Sequence, residues 1–150
     1  MSKTYAFVKP ETGEISYTST VKSTEDYPDG TVMGNFVMYD ISSFGPSDTF
    51  MSTKYYSEGQ WLDKPQRPSK FHDWTTSGWV FNSENFWIKV RYERDLLLRQ
   101  SDWSQMPDVP LTETQKTEWQ TYRQALRDVP LNNSNVTSLD EVVWPTPPTV

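Results

Sequence analysis

Near residue 82 the spacing of apolar residues changes from alternation to helical periodicity. A chain with that switch is constrained to fold as strands first and helices after. Residues 1–81 are rich in Tyr, Phe, Val and Thr between Gly-containing turns, the texture of short half-buried strands. Three pieces read as hairpins: YAFVKPETGEISYTS (5–19), KYYSEGQWLDK (54–64) and KFHDWTTSGWVF (70–81). Gly13, Gly59 and Gly78 stand where such turns often need a positive φ. A further single strand is predicted over Thr31 to Tyr39. The hairpins share a loose aromatic strand–turn–strand pattern that is too weak to be a repeat.

From residue 82 to 131 the periodicity is helical. Asn82 or Ser83 can cap a helix that runs to about Gln100. At 100° per residue, Phe86, Trp87, Val90, Leu97 and Leu98 share one face, and Ile88, Tyr92 and Leu96 form a second apolar strip opposite. A helix that is apolar on two sides is usually packed on both. Thr112 and Gln115 have capping-box spacing, which starts a second helix with the stripe Trp119, Tyr122 and Leu126. That helix is expected to stop near Asp128, because Pro130 restricts the residue before it. The two stripes predict a helical hairpin, joined by a linker (101–111) stiffened by Pro107 and Pro110. Residues 132–150 then form a polar and Pro-rich tail, expected to be extended. The fold class is therefore α+β: antiparallel β hairpins or a meander (1–81), a two-helix hairpin (82–131) and an extended tail (132–150).

Composition removes several functions. The net charge of −6 repels phosphate backbones and argues against nucleic acid as a partner. No stretch approaches the roughly 18 apolar residues of a membrane helix, and MSKTYAFVKPETG lacks the apolar run of a signal peptide. Cys is absent, so no disulfide frame or thiol chemistry is available, which fits synthesis in a reducing cytoplasm. His72 is the single histidine and lies in an alternating strand, where a packed or surface strand residue is expected. The six Gly are scattered in turns and form no phosphate loop. No catalytic, cofactor or metal residues are assigned.

Two constellations remain. Arg94 sits on an apolar helical face, where an unpaired guanidinium would be costly. Asp102, Asp108 and Asp128 are the candidate partners in a structural ion pair that clamps the helices, with a ligand anion as the alternative. In the β region, Trp61, Trp74 and Trp79 with Asp63 and Asp73 could make a sugar-stacking platform, although core packing is the first expectation for them. Ile88, Tyr92 and Leu96 are expected to meet the sheet or a partner. Trp144 with Pro145, Pro147 and Pro148 is expected either to anchor a partner or to dock back on its own helices.

The runs RYERDLLLRQSDWSQMPDVPL (91–111), EWQTYRQALRDVPL (118–131) and EVVWPTPP (141–148) resemble the phage tail assembly chaperone family. Members carry a pattern like R-x-x-R-x-x-L-L-x-x-S-D-W-T-Q-x-P-D, then W-x-x-Y-R-Q-x-L-R-D, then W-P-x-P-P. The first part falls on Arg91, Arg94, Leu97, Leu98, Ser101, Asp102, Trp103, Gln105, Pro107 and Asp108, with Ser104 in place of Thr. The pattern continues at Trp119, Tyr122, Arg123, Gln124, Leu126, Arg127 and Asp128, and closes on Trp144, Pro145, Pro147 and Pro148. Residues 61–80 are also similar to the segment that often precedes it, and residues 1–60 carry no resemblance. The resemblance implies a non-enzymatic protein that binds tail-fibre or other tail proteins. It would act as an assembly chaperone in the host cytoplasm or as an adaptor retained in the virion tail, and self-association is compatible with either. The alternative from the β region is a carbohydrate-binding module that touches the host surface.

Overall fold

The aromatic alternation of the first residues builds a sheet whose central strand is buried on both sides. In the computed structural model, which describes residues 2–22 and 26–149, β1 (Ser2–Val8) pairs antiparallel with β2 (Ile15–Lys22) and with β4 (Phe36–Asp40). Strand β3 (Thr31–Met33) pairs with β4, so the order is β2-β1-β4-β3. Successive side chains of a strand point to opposite faces. Ala6 and Val8 accordingly pack with Ile15, Ile41 and Phe50, while Tyr5 and Phe7 pack with Met38. The expected single strand over Thr31 to Tyr39 is in fact a hairpin, because Gly34 turns the chain at φ 61°. The sheet is also no simple meander, since β1 takes β4 and not only its neighbour in sequence.

A short helix, α1 (Ser47–Thr53), was not foreseen; it buries only Phe50. Two small sheets follow, β5 (Lys54–Ser57) with β6 (Gln60–Asp63), and β7 (His72–Thr75) with β8 (Gly78–Phe81). All three expected hairpins form, and Gly13, Gly59 and Gly78 have φ of 68°, 83° and 94°. Gly13 has a second reason to be glycine. Its carbonyl accepts from Tyr56 N at 2.9 Å, and an added Cβ would lie 2.0 Å from the Tyr56 carbonyl oxygen.

The chain divides into two compact units, Met1–Val80 and Phe81–Val150. The second holds α2 (Ser83–Gln100), a 3-10 turn at Asp102–Gln105 and α3 (Glu113–Asn132). Both caps are as read: Asn82 accepts from Asn85 N at 2.9 Å, and Thr112 and Gln115 form a reciprocal capping box. Helix α3 does not stop near Asp128; it carries Pro130 in its last turn and ends at Asn132. Proline weighs against a helical residue before it. Here that residue is Val129, 2% exposed, and its carbonyl accepts from both the backbone and the side chain of Asn133. Burial and a closed helix end outweigh the local preference. A second 3-10 turn spans Leu139–Glu141, and residues 142–149 carry no helix or strand; Val150 lies outside the described residues.

Candidate functional site

Helix α2 has two apolar faces, and one of them is buried. Phe86 and Val90 are fully buried, and Leu97 and Leu98 pack on a cluster of Leu111, Trp119, Tyr122 and Leu126. The expected seam therefore holds Leu97, joined by Leu98, while Phe86 meets the rings of Phe81 and Trp87. The other strip lies open: Ile88, Tyr92 and Leu96 are 56%, 58% and 40% exposed. Lys89 stands 5.4 Å from the Tyr92 ring centroid and pairs with Glu93 one turn on, so charges rim the strip without covering it.

The expected clamp exists with a different guanidinium. Arg94 pairs with its neighbour Asp95 at 2.7 Å, not with Asp102, Asp108 or Asp128. Asp102 instead meets Arg123 at 2.8 Å, Asp108 is exposed, and Asp128 accepts from Gln124. Arg123 is 9% exposed and donates from Nη1 to the Leu98 carbonyl at 2.7 Å and to Ser101 Oγ at 2.8 Å. These acceptors sit at the C-terminal end of α2, where carbonyls lack helical partners and a cation is favoured. Half-buried Arg94 is answered by the adjacent Asp95 through both Nε and Nη2, so it has no need of a distant carboxylate. The sequence did carry a signal for Arg123. Trp119, Tyr122, Arg123 and Leu126 stand at i, i+3, i+4 and i+7, which puts the guanidinium on the apolar stripe.

The residues of the family pattern thus meet in space. Ser101 and Asp102 hold Arg123, and Trp103 packs edge to face on Trp119 at 5.1 Å. Ser104, also buried, donates to the Ser101 carbonyl at 2.7 Å and fastens the turn. The Trp119 indole N–H is buried without a hydrogen-bond acceptor among the described residues, and burial pushes the Tyr122 hydroxyl pKa up. The pattern fastens the end of one helix to the middle of the next.

The tail folds back on this unit. Asn133, 4% exposed, accepts from Val143 N at 2.8 Å and donates to the Val143 carbonyl at 3.4 Å. That two-point grip on the backbone was invisible in the sequence. It brings Trp144 onto the cluster of Leu111, Trp119, Tyr122 and Leu126, the second of its two expected roles. Pro145 and Pro148 line a groove with Thr121, Tyr122 and Ala125 of α3, and Pro147 is exposed.

In the first unit the expected sugar platform separates. Trp61 belongs to the core with Ile41 and Phe50, its ring 4.8 Å from that of Phe50. Trp74 and Trp79 stay together, edge to face at 5.2 Å. Asp63 pairs with Lys54 at 2.6 Å, and Asp73 lies 4.0 Å from Arg67. His72 is a half-buried strand residue whose Nδ1 meets Ser69 Oγ at 2.9 Å. Among the described residues no helix is long and apolar enough to cross a membrane.

No curated protein and no solved structure matches the chain at a significant level. One family does: the model described as phage tail assembly chaperone protein matches residues 87–149. The match begins after residues 61–80 and covers the open strip, the Arg123 clamp and the tail. It supports a role in phage tail assembly, and residues 87–149, fewer than half of the chain, are thus similar to the phage tail assembly chaperone family.

Proposed function

We propose that this protein binds tail-fibre or other tail proteins through the open face of α2, as an assembly chaperone or as an adaptor retained in the tail, without catalysis. The observation that carries the reading is the exposed strip Ile88, Tyr92 and Leu96 inside the family segment. Three large apolar side chains at i, i+4 and i+8 make a continuous ridge on a helix, the form in which helices dock into apolar grooves. Exposed apolar surface of this kind marks interaction sites. Leu97 and Leu98 of the opposite face pack within the same unit, and the Arg123 clamp fixes the end of the helix, so the strip is presented on a preorganised support.

The proline edge of the tail is the proposed second contact, with Pro147 outermost and Trp144 acting as its internal fastening. Proline loses little conformational freedom on docking. Function resides on this reading in residues 82–150, and residues 1–81 form a separate β module.

The test is co-expression with each tail protein of the same phage, followed by co-purification. The wild-type chain should carry a tail protein with it. The variant Ile88→Ser, Tyr92→Ser, Leu96→Ser should lose it with unchanged helix content, because none of the three is buried. Equal capture by both proteins would refute the assignment, and assembly of the wild type only with itself would make the strip a self-association surface.

A further inference from the structure

We infer that the free edge of β2 pairs antiparallel with β2 of a second copy of this chain, which joins two four-stranded sheets into one. This goes beyond the tail-protein reading and does not rest on it, since every residue of the edge precedes residue 23. The inference starts from backbone groups. Strand β2 ends the order β2-β1-β4-β3 and has β1 as its neighbour on one side only. Thr4 of β1 donates its N–H to Ser42 Oγ at 2.9 Å, and its carbonyl accepts from Ile41 N at 2.8 Å. Its backbone groups therefore point away from β2, and those of Thr20, opposite it in the ladder, point off the sheet. The alternation of an antiparallel pair aims the N–H and C=O of Thr18, Thr20 and Lys22 the same way. Among the described residues none of these groups meets a hydrogen-bond partner. Sheet edges are normally guarded by charge, Pro, bulges or shortness. The other edge is short, since β3 has three residues. Strand β2 has eight, with no Pro and no charge before Lys22, and its one irregularity lies at its start, between the pairs Phe7–Tyr17 and Val8–Ile15. Such an edge accepts an extended strand.

The residues of β2 say whose strand it is. Antiparallel pairing centred on Ser19 sets Ser19 against itself, and sets Thr18 against Thr20 and Tyr17 against Val21 on both sides of the two-fold axis. The outward groups of Thr18 and Thr20 then meet each other in roughly four main-chain hydrogen bonds. Tyr17 and Val21 lie on the same face: Tyr17 stacks on the Phe7 ring at 4.2 Å, and Val21 packs on the cluster of Tyr5, Phe7 and Met38. Tyr17 is 42% exposed, and Val21 of the second copy would cover it as an aromatic–β-branched pair. Lys22 would face Ser16, so no charge opposes a like charge. Backbone, apolar and charge patterns agree on one register, as a self-complementary surface requires. The contact is small, so the dimer is weak and dissociates on dilution.

Sedimentation velocity of the full chain tests this. The wild type should pass from monomer to dimer between micromolar and millimolar concentration, the scale of a small interface. Thr20→Pro removes only an outward N–H and should leave a monomer with an unchanged circular dichroism spectrum. Ser19→Lys, which opposes two ammonium groups at the centre, serves if the Pro variant folds poorly. The variant Ile88→Ser, Tyr92→Ser, Leu96→Ser should still dimerise. The chain has no Cys, so single introduced cysteines report the register. Two Ser19→Cys residues would stand about 4.5 Å apart at Cα, within disulfide range, and two Thr20→Cys residues beyond about 7 Å. Ser19→Cys should therefore oxidise to a disulfide-linked dimer at least about tenfold faster than Thr20→Cys, although Thr20 is the more exposed. The inference is overturned by a wild type that stays monomeric at millimolar concentration, by a dimer that survives in a folded Thr20→Pro or Ser19→Lys variant, by a dimer lost in the triple Ser variant, or by equal oxidation of the two cysteine variants.

Discussion

Arg123→Ala should be among the most damaging single changes in the C-terminal unit, and the structure says which part of the interaction matters. The side chain of Arg123 is 11% exposed whereas that of its ion-pair partner Asp102 is 61% exposed. An ion pair with so open a carboxylate contributes about 0–1 kcal/mol. The two hydrogen bonds from Nη1, to Leu98 O and Ser101 Oγ, come from a charged donor in a buried place and would contribute about 1.5–3 kcal/mol each in isolation. The Leu98 carbonyl keeps two other donors, Ser101 N at 3.2 Å and Ser101 Oγ at 2.9 Å, so its loss is partial. Removing the guanidinium and its packed stem should therefore cost about 2–4 kcal/mol, against less than about 1 for Asp102→Asn. Arg123→Lys should fall between, because one ammonium cannot reproduce the fork. Urea unfolding followed at the helical circular dichroism band measures all three. The reasoning fails if Arg123→Ala changes the midpoint no more than Asp102→Asn, or if Asp102→Asn proves as costly as Arg123→Ala.

Three further outcomes follow from other contacts. Trp144→Ala should lower the stability of the helical unit by about 2 kcal/mol, less than for a fully buried Trp, and calorimetry showing an unchanged Tm would separate the tail from the Trp119 cluster. Gly59→Ala meets open space and should cost only the backbone strain of about 1–2 kcal/mol, whereas Gly13→Ala should cost more than that, since the approach of the Tyr56 carbonyl opposes a Cβ in addition to the positive φ. Asp40 accepts from the hydroxyl and the N–H of Ser42, and to a lesser degree from Lys3, which holds its pKa below the usual 3.8. A depressed carboxylate stabilises the fold above its unfolded pKa and loses that contribution as pH falls through the folded value. Denaturant midpoints measured from neutral pH downward should thus drop below 3.8, and less steeply in Asp40→Asn.

Local rules carried most of what the sequence could say. The change of period at residue 82, the Asn82 cap and the Thr112–Gln115 capping box are each written within a few residues, and all three are realised. Helix α1 has seven residues and a single buried side chain, so it leaves no periodic trace. The pairing of β1 with β4 joins strands about 30 residues apart and depends on the whole sheet, not on a turn. Pro130 misled for the same reason: the burial of Val129 and the grip of Asn133 are tertiary facts. At the site, the second apolar strip was legible because its three residues cannot share a face with the buried ones, whereas its exposure in the chain was not, since a helix apolar on two sides is usually packed on both. The reading of Arg94 as the clamp was wrong because Arg123 also lies on an apolar stripe, and the end of α2 supplies acceptors for Arg123.

The central claim is that the Ile88–Tyr92–Leu96 face contacts a tail protein during assembly, and site-specific photo-crosslinking tests it most directly. A photoreactive phenylalanine analogue at Tyr92, 58% exposed, should crosslink in infected cells to one tail protein. The same analogue at Gln120, an exposed position on α3, should not. No adduct from position 92, or the same adduct from position 120 alone, would contradict the account.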